Sequence, residues 1–150
     1  MAEIFFYHLT ESTLDEALPA LIEKSVARGW RAAIQAGSDR LRDALNAHLW
    51  TYRSDSFLPH DADGCDRPDE QPVFLTTSDD NPNGAQIRFL VGDAAPGSDI
   101  AGYERLVVMF DGLDDTALGN ARGHWKNLKA AGHDLTYWQQ AQDGRWQKKA

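Results

Sequence analysis

The sequence predicts a parallel α/β layer fold, and three observations carry that prediction. Short apolar runs at residues 4–9, 30–36 and 104–110 read as buried strands. Amphipathic helical stretches separate them, so strand and helix alternate at short spacing. The long stretches between, around residues 52–71 and 92–99, are rich in Asp, Pro, Gly and Ser and read as surface loops.

Taken in order, Ile4-Phe5-Phe6-Tyr7-His8-Leu9 is the first strand. Thr13 followed by Glu16 forms a capping-box pattern, and Leu14, Leu18, Leu21, Ile22 and Val26 then share one helical face. Pro19 lies inside that pattern, which predicts a kinked helix or a shifted start. Gly29 ends the helix, and residues 30–36 form the second strand. Ser38 is a good N-cap for a second helix in which Leu41, Leu45 and Leu49 recur, ending near Trp50. Strands follow at 72–77 and 86–91, separated by the turn cluster Asp79-Asp80-Asn81-Pro82-Asn83-Gly84. Residues 104–110 make the strongest central-strand candidate. A third helix runs from about Asp115 to Ala131 and stops at Gly132, and residues 135–140 with 145–147 suggest a closing hairpin around Asp143-Gly144.

The net charge of −8 and pI near 4.9 argue against general nucleic-acid binding, because a phosphate binder needs a basic footprint. With one cysteine, Cys65, no intramolecular disulfide is possible. The N-terminus lacks a basic region followed by an apolar stretch, and no apolar run approaches the length of a membrane span. A cytoplasmic protein with no membrane association is expected.

Chemistry-bearing motifs are sparse. The chain has no GxGxxG, no P-loop and no GxSxG elbow. The turns Glu11-Ser12-Thr13 and Gly37-Ser38-Asp39 do not offer the glycines that let backbone amides approach a phosphate. The best metal candidate, His60-Asp61-Ala62-Asp63-Gly64-Cys65-Asp66, matches no recognised ligand spacing and reads first as an acidic surface loop. Cys65 sits among acids that should raise its thiol pKa, which argues against a nucleophile. The five histidines are scattered, and no catalytic pair stands out. Neither a metal nor a cofactor is expected.

One stretch stands apart. Between Asp115 and Asp134 there is no acidic residue, in a chain with 23 of them. That window carries Arg122, Lys126 and Lys129 along one helix face, with Trp125 near the row. A solvated face with cations near the helix C-terminus explains the charge pattern equally well. Large apolar side chains in a polar loop, Phe57-Leu58-Pro59 beyond Trp50, tilt the balance toward a binding surface. A cationic stripe beside aromatics suits a ligand that is acidic and ends in an apolar residue. Arg122 would take a carboxylate bidentately, with Trp50 and Phe57 receiving the side chain.

The segments Leu45-Asn46-Ala47-His48-Leu49-Trp50 and Ser56-Phe57-Leu58-Pro59-His60 resemble the chi subunit family of bacterial DNA polymerase III holoenzyme. So do Arg122-Gly123-His124-Trp125-Lys126 and the run from Ala131 to Trp138. The resemblance spans nearly the whole chain and implies one domain over residues 1–150. It implies a Rossmann-like three-layer sandwich, with a mostly parallel central sheet, helices on both faces and no nucleotide-binding loop. It also implies a non-catalytic accessory role in DNA replication, with two partners. One is the acidic C-terminal tail of single-stranded DNA-binding protein; the other is the clamp loader, reached through a psi subunit where one exists. A DNA repair helicase is a further partner that the resemblance allows. Carried over by position, the tail pocket comprises Trp50, Phe57, Arg122, Trp125 and Lys126, with Arg122 on the terminal carboxylate and Lys126 attracting the acidic run. Trp125 stands where the family has tyrosine, Leu118 where another cation is expected, and the loop Asp61 to Glu70 is more acidic than the pattern.

Two rival readings remain open at this level. A nucleotide- or metal-dependent enzyme on the same fold would place its ligand at the carboxyl ends of the strands. A single-strand nucleic-acid module would stack bases on Trp50 and Trp125.

Overall fold

The computed structural model describes residues 3–51, 60–97, 100 and 102–149. Its centre is an eight-stranded sheet in the order β3-β4-β2-β5-β6-β1-β7-β8. The strands are β1 (Glu3–Leu9), β2 (Ala32–Ala36), β3 (Asp61–Ala62), β4 (Val73–Thr76), β5 (Ile87–Val91), β6 (Arg105–Asp111), β7 (Asp134–Gln140) and β8 (Trp146–Lys148). Neighbours pair in parallel throughout, save for β8, which runs antiparallel to β7. Residues 104–110 do fall at the centre of the sheet, and the hairpin closes around Asp143-Gly144 as expected. The two-residue strand β3 and a 3-10 turn at Pro68–Glu70 break up the predicted loop after the second helix.

The alternation of side chains along each strand divides the core into two layers. Ile34, Leu75, Phe89, Val107 and Met109 point to the side covered by α1 (Leu14–Ala27) and α2 (Asp39–Thr51). Ile4, Phe6, Leu90, Leu106, Val108 and Phe110 point to the other side, covered by α3 (Asp115–Ala130) through Ala117, Ala121 and Leu128. The chain is therefore a three-layer α/β sandwich.

Pro19 does not end α1; it sits buried within the helix. A proline removes the amide that would bond the carbonyl four residues earlier, here that of Asp15. His48 of α2 donates its Nε2–H to that carbonyl at 2.8 Å, so the freed acceptor is satisfied by the neighbouring helix. At the N-terminus of α1 the Glu16 carboxylate accepts the Thr13 amide and hydroxyl, both at 3.1 Å. Ser38 Oγ accepts the Leu41 amide at 3.2 Å, as its N-cap position predicts.

Arg88 on β5 is buried and meets neutral acceptors. Its guanidinium donates to Gln35 Oε1, to the carbonyls of Ser78 and Asp80, and to the Tyr103 hydroxyl. This fixes the turn after β4 against β2 and β5.

Candidate functional site

Two of the depressions among the described residues differ in charge. The first lies at the carboxyl ends of β1, β5 and β6, where α/β folds place nucleotides. It is lined by Leu9 to Leu14, Gly92, Asp93, Asp111 and Asp114 among others, with a volume of about 390 Å³. Backbone amides that would hold a phosphate there are already engaged. Those of Thr10, Glu11 and Ser12 converge on Gln140 Oε1 at 3.2, 3.1 and 3.0 Å. Asp114 accepts the Thr116 and Ala117 amides at the start of α3, and Asp111 accepts that of Leu113. With Glu11, Asp93, Asp111 and Asp114 around it, this crevice is acidic, and it repels an anion.

The second depression lies on the α3 face. Its volume is about 340 Å³, and its walls are His8, Phe110, Leu118, Ala121, Arg122, Trp125 and Tyr137. Three neighbouring strands and one helix build it. Successive even positions of β1 put Ile4 and Phe6 under α3 and His8 beyond them, while Arg122 and Trp125 sit one helical turn apart on α3. Trp125 is held edge-on against Phe6 and Tyr137, with centroids at 5.2 and 5.7 Å. Arg122 is exposed at the rim. The floor carries a short hydrogen bond of 2.6 Å between His8 Nδ1 and the Tyr137 hydroxyl.

Electrostatics agree with that geometry. Burial, then the Arg122 guanidinium, holds the His8 imidazole below its ordinary pKa, with Asp111 pulling the other way. Burial pushes the Tyr137 phenol up, and Arg122 opposes it. His8 is thus neutral near pH 7, and the fixed charge in the cavity is that of Arg122. Gly112 is needed beside it: a Cβ there would fall 1.9 Å from His8 Nε2 and 2.9 Å from the Leu9 carbonyl oxygen.

Of the five residues predicted to form one pocket, the structure brings Arg122 and Trp125 together. Lys126 is exposed on α3, one turn beyond Arg122, and does not line the cavity. Trp50 is the correction. It lies on α2, whose buried residues Leu45 and Leu49 belong to the opposite layer, so the sheet stands between it and Arg122. There it is 52% exposed and packs on His60, with centroids 4.2 Å apart. Phe57 lies outside the described residues. Nothing local in the chain says which layer a helix joins, which is why the sequence sets Trp50 beside the α3 cations.

His60, expected in an exposed loop, is 3% exposed, and its Nε2 donates to the Asn46 carbonyl at 3.0 Å. Asp63 of the same segment binds Arg42 Nη1 at 2.9 Å and the Thr77 amide at 3.0 Å. Among the described residues, no group of three or more His, Cys, Asp or Glu side chains is placed to hold a metal. Burial, with Asp61 and Asp66 adding to it, raises the Cys65 thiol pKa, the direction read from the sequence. No helix among the described residues is long and apolar enough to cross a membrane.

Comparison with known proteins decides the family. Residues 1–136 match the family model described as DNA polymerase III chi subunit, HolC. The chain belongs to the DNA polymerase III chi subunit family. It is also similar to a protein of Rickettsia prowazekii (strain Madrid E) described as a probable DNA polymerase III subunit chi. The two are 26% identical over 121 residues, which cover 77% of this chain and 73% of the relative. As a chi-family member the chain is an accessory subunit of a replicative polymerase complex. The family match takes in all the cavity-lining residues but Tyr137.

Beside the small Ala121, the members of the cavity that the sequence did not disclose are His8, Phe110 and Tyr137. His8 and Phe110 belong to strands that read as plain core, and Tyr137 to an arm of the closing hairpin. One signal was available: His8 is a polar-tipped residue within the apolar run 4–9, where a buried polar group needs a partner.

Proposed function

We propose that this chi-family chain is a non-catalytic tether: it binds the acidic C-terminal tail of single-stranded DNA-binding protein and links it to the polymerase III clamp loader, through a psi subunit where one exists. The observation that carries this reading is Arg122 standing at the rim of an aromatic cavity in a chain of net charge −8. An apolar terminal side chain enters between Trp125, Phe110 and Tyr137. Its carboxylate meets Arg122 in a charge-assisted pair. Lys126, one turn along α3, draws in the acidic run that precedes it. Burial of one phenylalanine plus a few such contacts corresponds to micromolar affinity, about −8 kcal/mol. Several tails on an oligomeric partner add avidity. The acidic strand-end crevice, with its amides engaged internally, disfavours the nucleotide-enzyme reading.

The test is binding of a labelled peptide with an acidic run and a terminal phenylalanine. Micromolar affinity is expected for the wild type. Arg122→Ala should weaken it at least tenfold (about 1.4 kcal/mol), while Trp50→Ala, altered in the other layer, should leave it within about twofold. Absence of wild-type binding at low salt overturns the proposal.

A further inference from the structure

A second cationic, aromatic hollow lies on the opposite face of the sheet, under the C-terminal end of α1. Its volume is about 510 Å³. Tyr7, Trp138 and Trp146 form one wall, packed together with Tyr7 edge-on to Trp146 at 4.8 Å and stacked against Trp138 at 6.4 Å. Lys24, Arg28 and Arg105 are the charged residues that line it; the lining includes no carboxylate. The register of β7 and β8 also sets Lys148 beside Trp138 on this face. Two side chains of the lining hold buried donors without a partner among the described residues, Arg105 Nε and Trp138 Nε1. Buried donors left unmade are costly and ask for an acceptor.

We infer that this hollow is a second docking site, for an internal acidic segment of a partner chain that presents apolar side chains between carboxylates. Charge complementarity gives the sign of the occupant, since Lys24 and Arg28 line the hollow with no carboxylate among its lining residues, Arg105 being paired with Glu3 outside it, while the molecule as a whole is acidic. The aromatic wall requires that the occupant also bury apolar surface. A nucleic-acid strand fits less well, because successive phosphates need a continuous basic track. Here the positive charge is confined: Glu3 pairs with Arg105 at 3.4 Å, Asp143 pairs with Arg145 at 3.6 Å, and Asp134 is exposed at the start of β7. The site stands apart from the Arg122 cavity, with the sheet between them.

Indole N–H signals of the ¹⁵N-labelled full chain read both hollows at once, after assignment by single Trp→Phe substitutions. The probe is an octapeptide, acetylated and amidated, in which Leu-Phe is flanked by aspartates; without a terminal carboxylate it does not suit the Arg122 clamp. Saturable shifts at Trp138 and Trp146 are expected below about 1 mM. They should weaken at least about fivefold in Lys24→Glu/Arg28→Glu and persist in Arg122→Ala. Well-dispersed spectra of the double variant establish that it folds. Four results overturn the inference: no shift at Trp138 and Trp146, shifts confined to Trp125, equal shifts with a lysine-flanked peptide, or tighter binding of oligothymidylate at the same indoles. A self-associated chain whose dimer covers these tryptophans also overturns it, since the occupant is then a second copy.

Discussion

The strand-end crevice and the α3 cavity are of similar size, about 390 and 340 Å³, yet only one is suited to an anion. At the crevice, two helix N-termini and a run of free-standing loop amides give the fold its inherited capacity to hold phosphate. Side chains from elsewhere in the chain occupy that capacity: Gln140 from β7 takes three amides and Asp114 takes two. On the α3 face the cavity is walled by side chains, one guanidinium beside four rings. The comparison teaches that a fold's usual ligand position can be closed by ordinary hydrogen bonds, while a sheet face can build a cationic, aromatic cavity from side chains alone.

Three changes would break or sharpen that contrast. The largest effect is expected from Gln140→Leu, which strands the Thr10, Glu11 and Ser12 amides and the Ser12 hydroxyl contact. Stability should fall by about 2 kcal/mol or more, read from urea unfolding. Tail-peptide affinity of the folded fraction should not change, and a loss of affinity would mean that the two depressions are coupled. Next, Trp125→Ala removes the cavity wall and should weaken tail binding by about tenfold. Trp125→Tyr keeps an aromatic wall and should restore it to within about threefold. If alanine and tyrosine bind alike, the ring is not part of the site.

The smallest effect concerns pH. His8 is neutral in the free protein because burial and Arg122 lower its pKa, while Asp111 opposes them and Tyr137 bonds its Nδ1. A bound carboxylate favours the imidazolium and raises that pKa, so binding takes up a proton. Affinity should therefore rise as pH falls from about 7.5 to 5.5, by about two- to threefold, while the ligand's carboxylates stay ionised. His8→Gln should flatten the profile, and an unchanged slope would exclude His8 as its source.

Much of the fold was legible because its elements are local patterns. Thr13 with Glu16, Ser38, Gly132 and the Asp143-Gly144 turn each act within a few residues, and each stands where the sequence placed it. The strands read as continuous apolar runs, as a parallel sheet covered on both faces requires. Pro19 suggested a kink or a shifted start, because the group that satisfies the carbonyl it frees, His48, lies on another helix and far along the chain. The candidate site divides in the same manner. Arg122 and Trp125 share a helix, so their adjacency was visible at helical spacing. Trp50 and Arg122 do not, and only the division of α2 and α3 between layers separates them. His8 and Tyr137 meet across parallel β1 and β7, whose pairing no local pattern announces.

The position of β1 also bears on how the chain is made. Its two partners are β6 and β7, which begin at Arg105 and Asp134. A nascent chain leaves the ribosome from its N-terminus, so the first strand emerges long before either neighbour exists. During that interval Ile4, Phe5 and Phe6 have no place to be buried, and the α1–α2 half must form around β2, β4 and β5 without its central strand. Pairings of such long sequence separation are slow to close and leave apolar segments open to chaperones and to aggregation. Early termination before β7 would release a chain whose first strand lacks one flank and whose α3 cavity lacks its Tyr137 wall.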